Sequence, residues 1–373
     1  MSRACEGGRR DMNRDGAINA KAEIFRKAFD FREVASASLE ESDGPLFAAP
    51  RGTEIFDRIL TARRRRSLDA SEQIALGLLR RPRVQADLKI GIFVQDERLR
   101  HSAIVEMALG IVGEREAEVI VTGPVRCQTP VNAGTCRPLR IGGSVGHAAV
   151  TAGTLGCFVR CRTSGDVGIL SNNHVLAATN AGARGDVILQ PGRADGGCGS
   201  LPTTHVAELR DFVPIDFAPD AANLVDCAFA PLTNGVGRTT DRVSDPLCLR
   251  ADWSVATVDD LILAGAPVRK VGRTTGYTEG SVLAIGVDNV VVRMPGRTRK
   301  IARFDQQFAI AGSAGAFSSG GDSGSLIFTQ EGHPAALLFA GTESGGPQGG
   351  GITYANPIQT VLDLLNLDIY TGQ

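Results

Sequence analysis

The chain has 373 residues, 43% of them hydrophobic, with 40 basic and 41 acidic side chains. This composition is ordinary for a soluble globular protein, and the length allows two or three domains. A net charge of −1 provides no electrostatic footprint for nucleic acid or a membrane surface, so neither is expected as a partner.

Residues 1–52 are predicted to be an N-terminal tail with one helix. Apolar residues recur at near-helical spacing between Ile18 and Val34, which predicts a short amphipathic helix. The segment ESDGPLFAAPRG that follows is typical of a loop or linker.

Residues 53–125 are predicted to form a helical and small α+β module. Two helices are expected from Thr53 to Arg81, while DLKIGIFVQ indicates a strand, SAIVEMALGIV a helix and EAEVIVTG a second strand. The run Arg63–Arg66 favours a solvated helix end over a docking patch for an anionic partner. No polar cluster here points to chemistry, so we expect a packing or regulatory role, and this is where a regulatory protein partner would bind.

Residues 134–373 are predicted to form the main domain. Short apolar β segments alternate with glycine-rich turn signals, which is typical of an antiparallel sandwich or a pair of barrels. The final segment ANPIQTVLDLLNLDI predicts a closing helix with Ile358, Val361, Leu362 and Leu365 buried.

The location expected from the sequence is cytoplasmic. No apolar run approaches the roughly 18–20 residues that span a bilayer, and the N-terminal MSRACEGGRRDMNRDG lacks the apolar core of a secretory signal. The eight cysteines are therefore expected to be reduced and mostly buried. No CxxC or HExxH spacing is present, so no metal or other cofactor is expected.

One loop, GGDSGSLIF at Gly320–Phe328, presents a serine between an aspartate and a glycine. A serine hydroxyl attacks a carbonyl when a base takes its proton, a third group orients the base, and donors stabilise the oxyanion. Gly320 and Gly321 permit unusual backbone angles, so the N–H groups of Gly321 and Ser323 are the candidate oxyanion hole. Taken alone, the same composition fits a β-turn between two core strands equally well.

His174 is the candidate base. It ends an apolar strand and enters a loop, in VGILSNNHVLAA, a setting without a close parallel around the other histidines. The chain has four others, which are His101, His147, His205 and His333.

Asp226 is the candidate carboxylate because it opens the small apolar strand in NLVDCAFAPL, where its charge can be buried against an imidazole N–H. A cap or edge position is the alternative for this aspartate. Asp211 and Asp216 are rivals, but they lie in a proline-rich connector. The long separations between the three candidate residues allow two β units to face each other across a cleft.

GGDSGS, the NNH motif and VDCAFA together resemble the trypsin/chymotrypsin-like serine peptidases of the PA clan. The segments GTLGCFVR, ILSNNHVLA, VRKVGRTTGYTEG, GGDSGSLIF and LLFAG are more closely similar to bacterial trypsin-like peptidases related to the plant Narrow Leaf proteins. The resemblance covers about residues 134–365. It implies a mainly β fold, a trypsin-like double β-barrel of two perpendicular six-stranded barrels, here with an N-terminal helical and small α+β module and a C-terminal helix.

The resemblance also implies peptide-bond hydrolysis through an acyl-enzyme. It makes His174 the base, Asp226 the carboxylate and Ser323 the nucleophile. The oxyanion donors that it implies are the N–H groups of Gly321 and Ser323.

For the substrate pocket, the resemblance points to the position six before the nucleophile, which is Phe317 and not the aspartate of trypsins. We therefore expect a small or apolar residue on the acyl side of the cleaved bond rather than Arg or Lys. The other substrate-binding residues implied are Ala340, Gly341 and Thr342.

The chain departs from secreted trypsins in its cysteines. Val175 stands where those enzymes have a disulfide cysteine after the base. Cys157 and Cys161 would lie about 13 Å apart on one face of a strand, too far to bridge each other.

RIGGSVG at Arg140–Gly146 is similar to the activation site of trypsin zymogens, where a freed terminus pairs with the aspartate beside the nucleophile. That aspartate would be Asp322. A glycine-rich turn between strands is the favoured interpretation.

The leading prediction is a cytoplasmic serine endopeptidase, and two alternatives stay open. One is a non-catalytic binding or scaffold protein with a peptidase fold, against which the intact His/Asp/Ser set argues. The other is a peptidase that is silent until a partner reshapes the oxyanion loop, for which the glycine-rich SAGAFSSGG before Ser323 gives room.

Overall fold

A computed structural model of the chain describes residues 14–29, 70–80, 88–124, 132–239, 242–244, 247–248, 266–295, 300–347 and 349–372. The α-helices in these ranges are α1 (Arg14–Ala28), α2 (Ala103–Val112), α3 (Asn173–Leu176) and α4 (Ile358–Leu364). Within the same ranges no helix combines the length and the apolar character needed to cross a membrane. The predicted linker ESDGPLFAAPRG and the run Arg63–Arg66 fall outside the described residues.

Strands dominate the rest of the chain. Those before residue 232 are β1 (Ile74–Arg80), β2 (Leu88–Val94), β3 (Ala117–Val121), β4 (Leu139–Arg140), β5 (Ser144–His147), β6 (Gly153–Thr154), β7 (Cys157–Cys161), β8 (Val167–Ser171), β9 (Val187–Leu189), β10 (His205–Glu208), β11 (Asp211–Phe212) and β12 (Ala228–Pro231). Those after it are β13 (Arg238–Thr239), β14 (Arg242–Ser244), β15 (Leu247–Cys248), β16 (Pro267–Gly272), β17 (Gly276–Asp288), β18 (Val290–Arg293), β19 (Ile301–Phe304), β20 (Gln307–Gly312), β21 (Leu326–Thr329), β22 (Pro334–Gly341), β23 (Thr353–Pro357) and β24 (Leu367–Ile369).

The second half of the main domain is a closed barrel of six antiparallel strands. β16, β21, β22, β23, β20 and β17 are hydrogen-bonded in that order, and β17 pairs back onto β16 to close the ring. Ile310, Phe317 and Ile327 belong to the apolar cluster of this barrel. The chain is therefore mainly β and contains the barrel expected next to the candidate nucleophile.

The first half of the main domain is a second β unit around its own core. A five-stranded sheet (β11-β12-β8-β7-β24) and a four-stranded sheet (β10-β9-β5-β6) enclose side chains such as Phe158 and Phe229. In the four-stranded sheet β10 pairs with β9 and β9 pairs with β5, and an isolated antiparallel bridge between Ala207 in β10 and Leu232, directly after β12, joins this sheet to the five-stranded one. The double β-barrel architecture itself is confirmed.

The C-terminal helix closes the first β unit. All four apolar residues predicted to be buried in α4 and just after it are buried, and they join the core of that unit. The chain then forms β24, a strand that the helical pattern did not predict, which pairs with β7. Residues from the end of the sequence thus complete the unit that carries the candidate base.

The N-terminal module continues the sheet of the closed barrel. β17 has 13 residues, and its later part pairs with β1. Strand β1 pairs in turn with β2, and β2 pairs with β3. Helix α1 packs against α2, β1 and β2 around Ile24, Leu76 and Val105. The predicted elements at α1, β2, α2 and β3 are confirmed.

The expectation of two helices from Thr53 to Arg81 is wrong for Ile74–Arg80, which is β1; residues 53–69 fall outside the described residues. The run IALGLL is buried on both faces because β1 is a central strand between β17 and β2. Such a continuous apolar run cannot be told from a buried helix by its period alone. The boundaries of the module remain a prediction.

Candidate active site

His174 lies at the end of β8, in the single-turn helix α3, and its side chain is only 5% exposed. Its Nδ1 is 2.5 Å from Oδ2 of Asp226, and its backbone N–H donates to Oδ1 of the same carboxylate at 3.1 Å. A carboxylate on Nδ1 holds the imidazole in the tautomer that is protonated there. Nε2 is then the nitrogen that can accept a proton.

Asp226 is fully buried and is held from both β units. Its backbone N–H donates to Oδ1 of Asn356 in β23 at 3.0 Å, and Nδ2 of Asn172, just after β8, donates to its carbonyl at 2.7 Å. Asn356 is in turn fixed by Gln307, whose Oε1 accepts a hydrogen bond from Nδ2 at 2.6 Å. These amides were not predicted from the sequence, although polar residues in otherwise apolar β segments were the available signal.

Ser323 lies in a tight turn that leads into β21, and its side chain is 4% exposed. Gly321 and Gly324 have φ of 89° and 93°, which are left-handed values that glycine adopts readily. Oγ of Ser323 donates to the carbonyl of Phe339 at 3.4 Å, and the N–H of Gly324 donates to Leu338 O at 2.8 Å. Strand β22 therefore runs directly beside the candidate nucleophile.

The segments that carry His174 and Ser323 meet at β6. The N–H of Thr154 donates to Ser323 O at 2.8 Å. A Cβ placed on Gly153 would lie 2.4 Å from Cγ2 of Val175 and 3.1 Å from Ser323 O. No side chain fits between these two segments. Gly153 is therefore flanked by Val175, which follows the candidate base, and by Ser323, the candidate nucleophile.

Two threonine hydroxyls orient the peptides in front of Ser323. Oγ1 of Thr274 donates to Gly320 O at 2.6 Å, and Oγ1 of Thr154 donates to Gly321 O at 2.7 Å. In a trans peptide the C=O and the next N–H point in opposite directions, so holding Gly320 O turns the Gly321 N–H away from Thr274. That N–H donates to no acceptor among the described residues. The Gly321 N–H therefore stays a candidate oxyanion donor.

Asp322, beside the nucleophile, has a buried cation as its partner. Nζ of Lys270 in β16 lies 3.1 Å from Oδ2 of Asp322, and neither side chain is exposed. The carboxylate also accepts the N–H groups of Thr274 at 2.7 Å and Ser319 at 2.8 Å, and the hydroxyl of Thr275 at 2.7 Å. Burial lowers the pKa of Lys270, while the charge of Asp322 opposes this shift. The sequence analysis missed Lys270, a lysine within the apolar strand APVRKVGR.

The predicted glycine-rich turn at Arg140–Gly146 is confirmed. Ile141 and Gly142 form a turn after β4, and Gly142 has φ of 84°. A Cβ on Gly142 would lie 2.4 Å from Cγ1 of Val271, so only glycine fits this turn. Asp322 has its ammonium partner in the uncut chain.

The rival residues are engaged elsewhere. Both ring nitrogens of His147 have partners, since Nε2 is 2.9 Å from Oδ2 of Asp186 and Nδ1 accepts the N–H of Ala149. Asp211 pairs with Arg184 at the surface, 2.6 Å apart.

Phe317 is 1% exposed and belongs to the core cluster of the closed barrel, and its carbonyl accepts a hydrogen bond from Thr278 Oγ1 at 2.7 Å. Ala340 and Gly341 end β22, directly after the residue that contacts Ser323. Thr342 follows, with Oγ1 donating to Ser344 O at 3.0 Å. The roles of these four residues in substrate binding remain predictions.

No family model and no curated protein matches the chain. Among solved structures, it is similar to Thermobifida fusca Protease A at 17% identity with a TM-score of 0.41, over 62% of this chain and 98% of that one. It is also similar to Cellulomonas bogoriensis chymotrypsin, at 16% identity with a TM-score of 0.40, and to Nocardiopsis protease, at 18% identity with a TM-score of 0.42. Both similarities cover 62% of this chain and 98% of the other. These likenesses are remote.

Proposed function

We propose that the chain is a serine endopeptidase. The observation that carries the proposal is the fully buried Asp226 carboxylate on Nδ1 of His174. A scaffold protein gains nothing from burying this carboxylate, because removing a charge from water costs free energy.

The proposed reaction begins when Oγ of Ser323 attacks the carbonyl carbon of a peptide bond and His174 Nε2 takes the hydroxyl proton. The N–H groups of Gly321 and Ser323 stabilise the oxyanion. His174 then donates its proton to the leaving amine, and an acyl-enzyme forms. Water, deprotonated by the same nitrogen, then attacks the acyl carbon; the ester bond to Ser323 Oγ breaks, His174 returns the proton to Oγ, and the carboxylic acid product leaves.

We further propose that the peptidase is competent without a partner that reshapes its oxyanion loop. Thr274 already holds the peptide before Gly321, and the Gly321 N–H is not used by an acceptor within the described residues. In the proposed enzyme no cleavage is needed for activation, because Lys270 supplies the positive charge that pairs with Asp322.

The proposed substrate preference, group of peptidases and cellular location rest on the sequence. Phe317 in place of an acidic residue favours substrates with a small or apolar residue on the acyl side. The resemblance to the bacterial peptidases related to the Narrow Leaf proteins supports membership of that group. All five cysteines with described side chains are free thiols, which suits the proposed cytoplasmic location.

The test is digestion of a peptide library derived from a proteome, with new termini read by mass spectrometry. We expect cleavage by the wild-type chain after small or apolar residues, and none by Ser323→Ala. Cleavage after Arg or Lys would refute the pocket assignment and leave the reaction standing. If folded wild-type protein cleaves nothing, the proposal of a constitutively active peptidase is overturned.

A further inference from the structure

The loop at residues 342–352, described at 342–347 and 349–352, joins β22 to β23 and borders the candidate site. Strand β22 passes Ser323 at Phe339, whose carbonyl accepts the serine hydroxyl, and then runs through Gly341 into this loop. Internal hydrogen bonds hold the loop together. Thr342 and Ile352 exchange backbone and side-chain bonds, and the Gly351 N–H donates to Gly345 O at 2.9 Å.

On one side, the 342–352 loop touches the N-terminal module. The N–H of Gly346 donates to Val121 O at 2.8 Å, at the last residue of β3. A Cβ on Gly345 would lie 2.5 Å from both Val121 O and the carbonyl carbon of Thr122. One on Gly123 would lie 2.9 Å from Oγ of Ser344. The end of β3 and the loop thus approach backbone to backbone.

On its other side, the same loop touches the segment that leads to the nucleophile. A Cβ on Gly350 would lie 2.4 Å from the carbonyl carbon of Gly315. Just beyond the loop, Oγ1 of Thr353 is 2.6 Å from Oγ of Ser318. The 342–352 loop is therefore clamped between the end of β3 and residues 315–318.

We propose that the end of β3, Val121–Gly123, holds the 342–352 loop, and through it residues 315–318, in the arrangement that binds substrate. The N-terminal module is then a structural part of the substrate site and not a detachable regulator. This inference rests on the proposed peptidase function for its effect on catalysis, while the coupling itself is a property of the fold. Gly345 acts as a positioning residue, because it permits the close approach.

The test compares Gly345→Ala with Gly349→Ala in the full chain. Both glycines have left-handed backbone, with φ of 85° and 72°, so both variants carry similar strain. Only the first places a Cβ against the module, since no atom of the described residues lies within 4 Å of a Cβ on Gly349. We expect Gly345→Ala to lower kcat/KM on a peptide substrate roughly ten- to a hundredfold through a higher KM, since displacements of about 1 Å can have effects of that size. Gly349→Ala carries the backbone strain without the contact, so we expect it to lower kcat/KM clearly less than Gly345→Ala does.

A second pair probes the same contact from the module. Gly123→Ala, with φ of 71°, places a Cβ against Ser344, whereas the Cβ of Gly113→Ala, with φ of 86°, has no atom of the described part of the chain within 4 Å. We expect a higher KM in Gly123→Ala and not in Gly113→Ala. This pair keeps the inference falsifiable if Gly345→Ala does not fold, as judged by thermal unfolding. Equal kcat/KM within both pairs of folded variants would overturn it.

Amide hydrogen exchange separates this inference from the proposed function. In Gly345→Ala we expect faster exchange in peptides covering both 342–352 and 315–318, and in Gly349→Ala at most in the loop itself. If exchange at 315–318 does not change in Gly345→Ala, the coupling is refuted even in an active enzyme. If the exchange behaves as expected and the wild type cleaves no peptide, the proposed function fails and the coupling stands.

Discussion

Replacing Lys270 by Met tests the buried ion pair beneath the nucleophile loop. Met keeps an unbranched apolar stem of similar length and removes only the ammonium. Nζ of Lys270 lies 3.1 Å from Asp322, and both side chains are fully buried. The variant therefore leaves a carboxylate in the protein interior without its counter-charge.

The magnitude follows from what remains around the carboxylate. Removing one partner of a buried pair destabilises a protein by about 3–5 kcal/mol. Asp322 still accepts two hydrogen bonds from Thr275 and one N–H each from Thr274 and Ser319, and these offset part of the loss. We therefore expect a decrease near the lower end, about 3 kcal/mol in the free energy of unfolding.

The assay is urea unfolding followed by circular dichroism, with Lys89→Met as the matched control. Lys89 pairs with Glu118 at 3.6 Å on the surface of the module, with side-chain exposures of 27% and 55%. Such exposed pairs contribute about 0–1 kcal/mol. If Lys270→Met unfolds within about 1 kcal/mol of Lys89→Met, the buried pair does not hold the loop and the reasoning is refuted.

Three further predictions concern the site. Asp226→Asn should lower kcat about 10⁴-fold in a steady-state peptidase assay, because the imidazole loses its orienting charge, and a loss below tenfold would contradict the assignment. Thr274→Val should lower kcat about ten- to a hundredfold with KM little changed, since the freed peptide no longer aims the Gly321 N–H, whereas Thr163→Val at the surface should have no effect. Burial lowers the pKa of Lys270 from its ordinary value of 10.5, so the unfolded chain keeps this proton to higher pH. Between the lowered pKa and 10.5 the free energy of unfolding of the wild-type chain should therefore rise with pH, and that of Lys270→Met should lack this contribution. Urea unfolding at several pH values across that range measures the difference.

Local patterns predicted the elements that carry the site. The strand-end position of His174 and the aspartate that opens a buried strand both follow from short apolar runs flanked by polar residues. The structure brings these two side chains into contact across 52 positions of sequence. Patterning marks Asn356 and Lys270 as polar residues within apolar segments, but it does not show what they bind, because the role of a buried polar residue in a strand is recognisable only when its partner is known.

The errors in the fold have one physical origin. Ile74–Arg80 has no alternation because both of its faces are covered, so its apolar run does not distinguish strand from helix. Periodicity is equally uninformative for β24, because its three residues directly after a helix are too few to show a period of their own. The contact of Val121 with Gly346 joins residues 225 positions apart, and no local pattern could predict it.

Labelling with a fluorophosphonate probe tests the central claim most directly, since the probe bonds covalently to a serine that a working base activates. The folded wild-type chain should label, and Ser323→Ala and His174→Ala should not. The surface controls Ser200→Ala and His205→Ala should label like wild type. An unlabelled wild-type chain that is folded, or undiminished labelling of Ser323→Ala, would contradict the account of an assembled serine peptidase site.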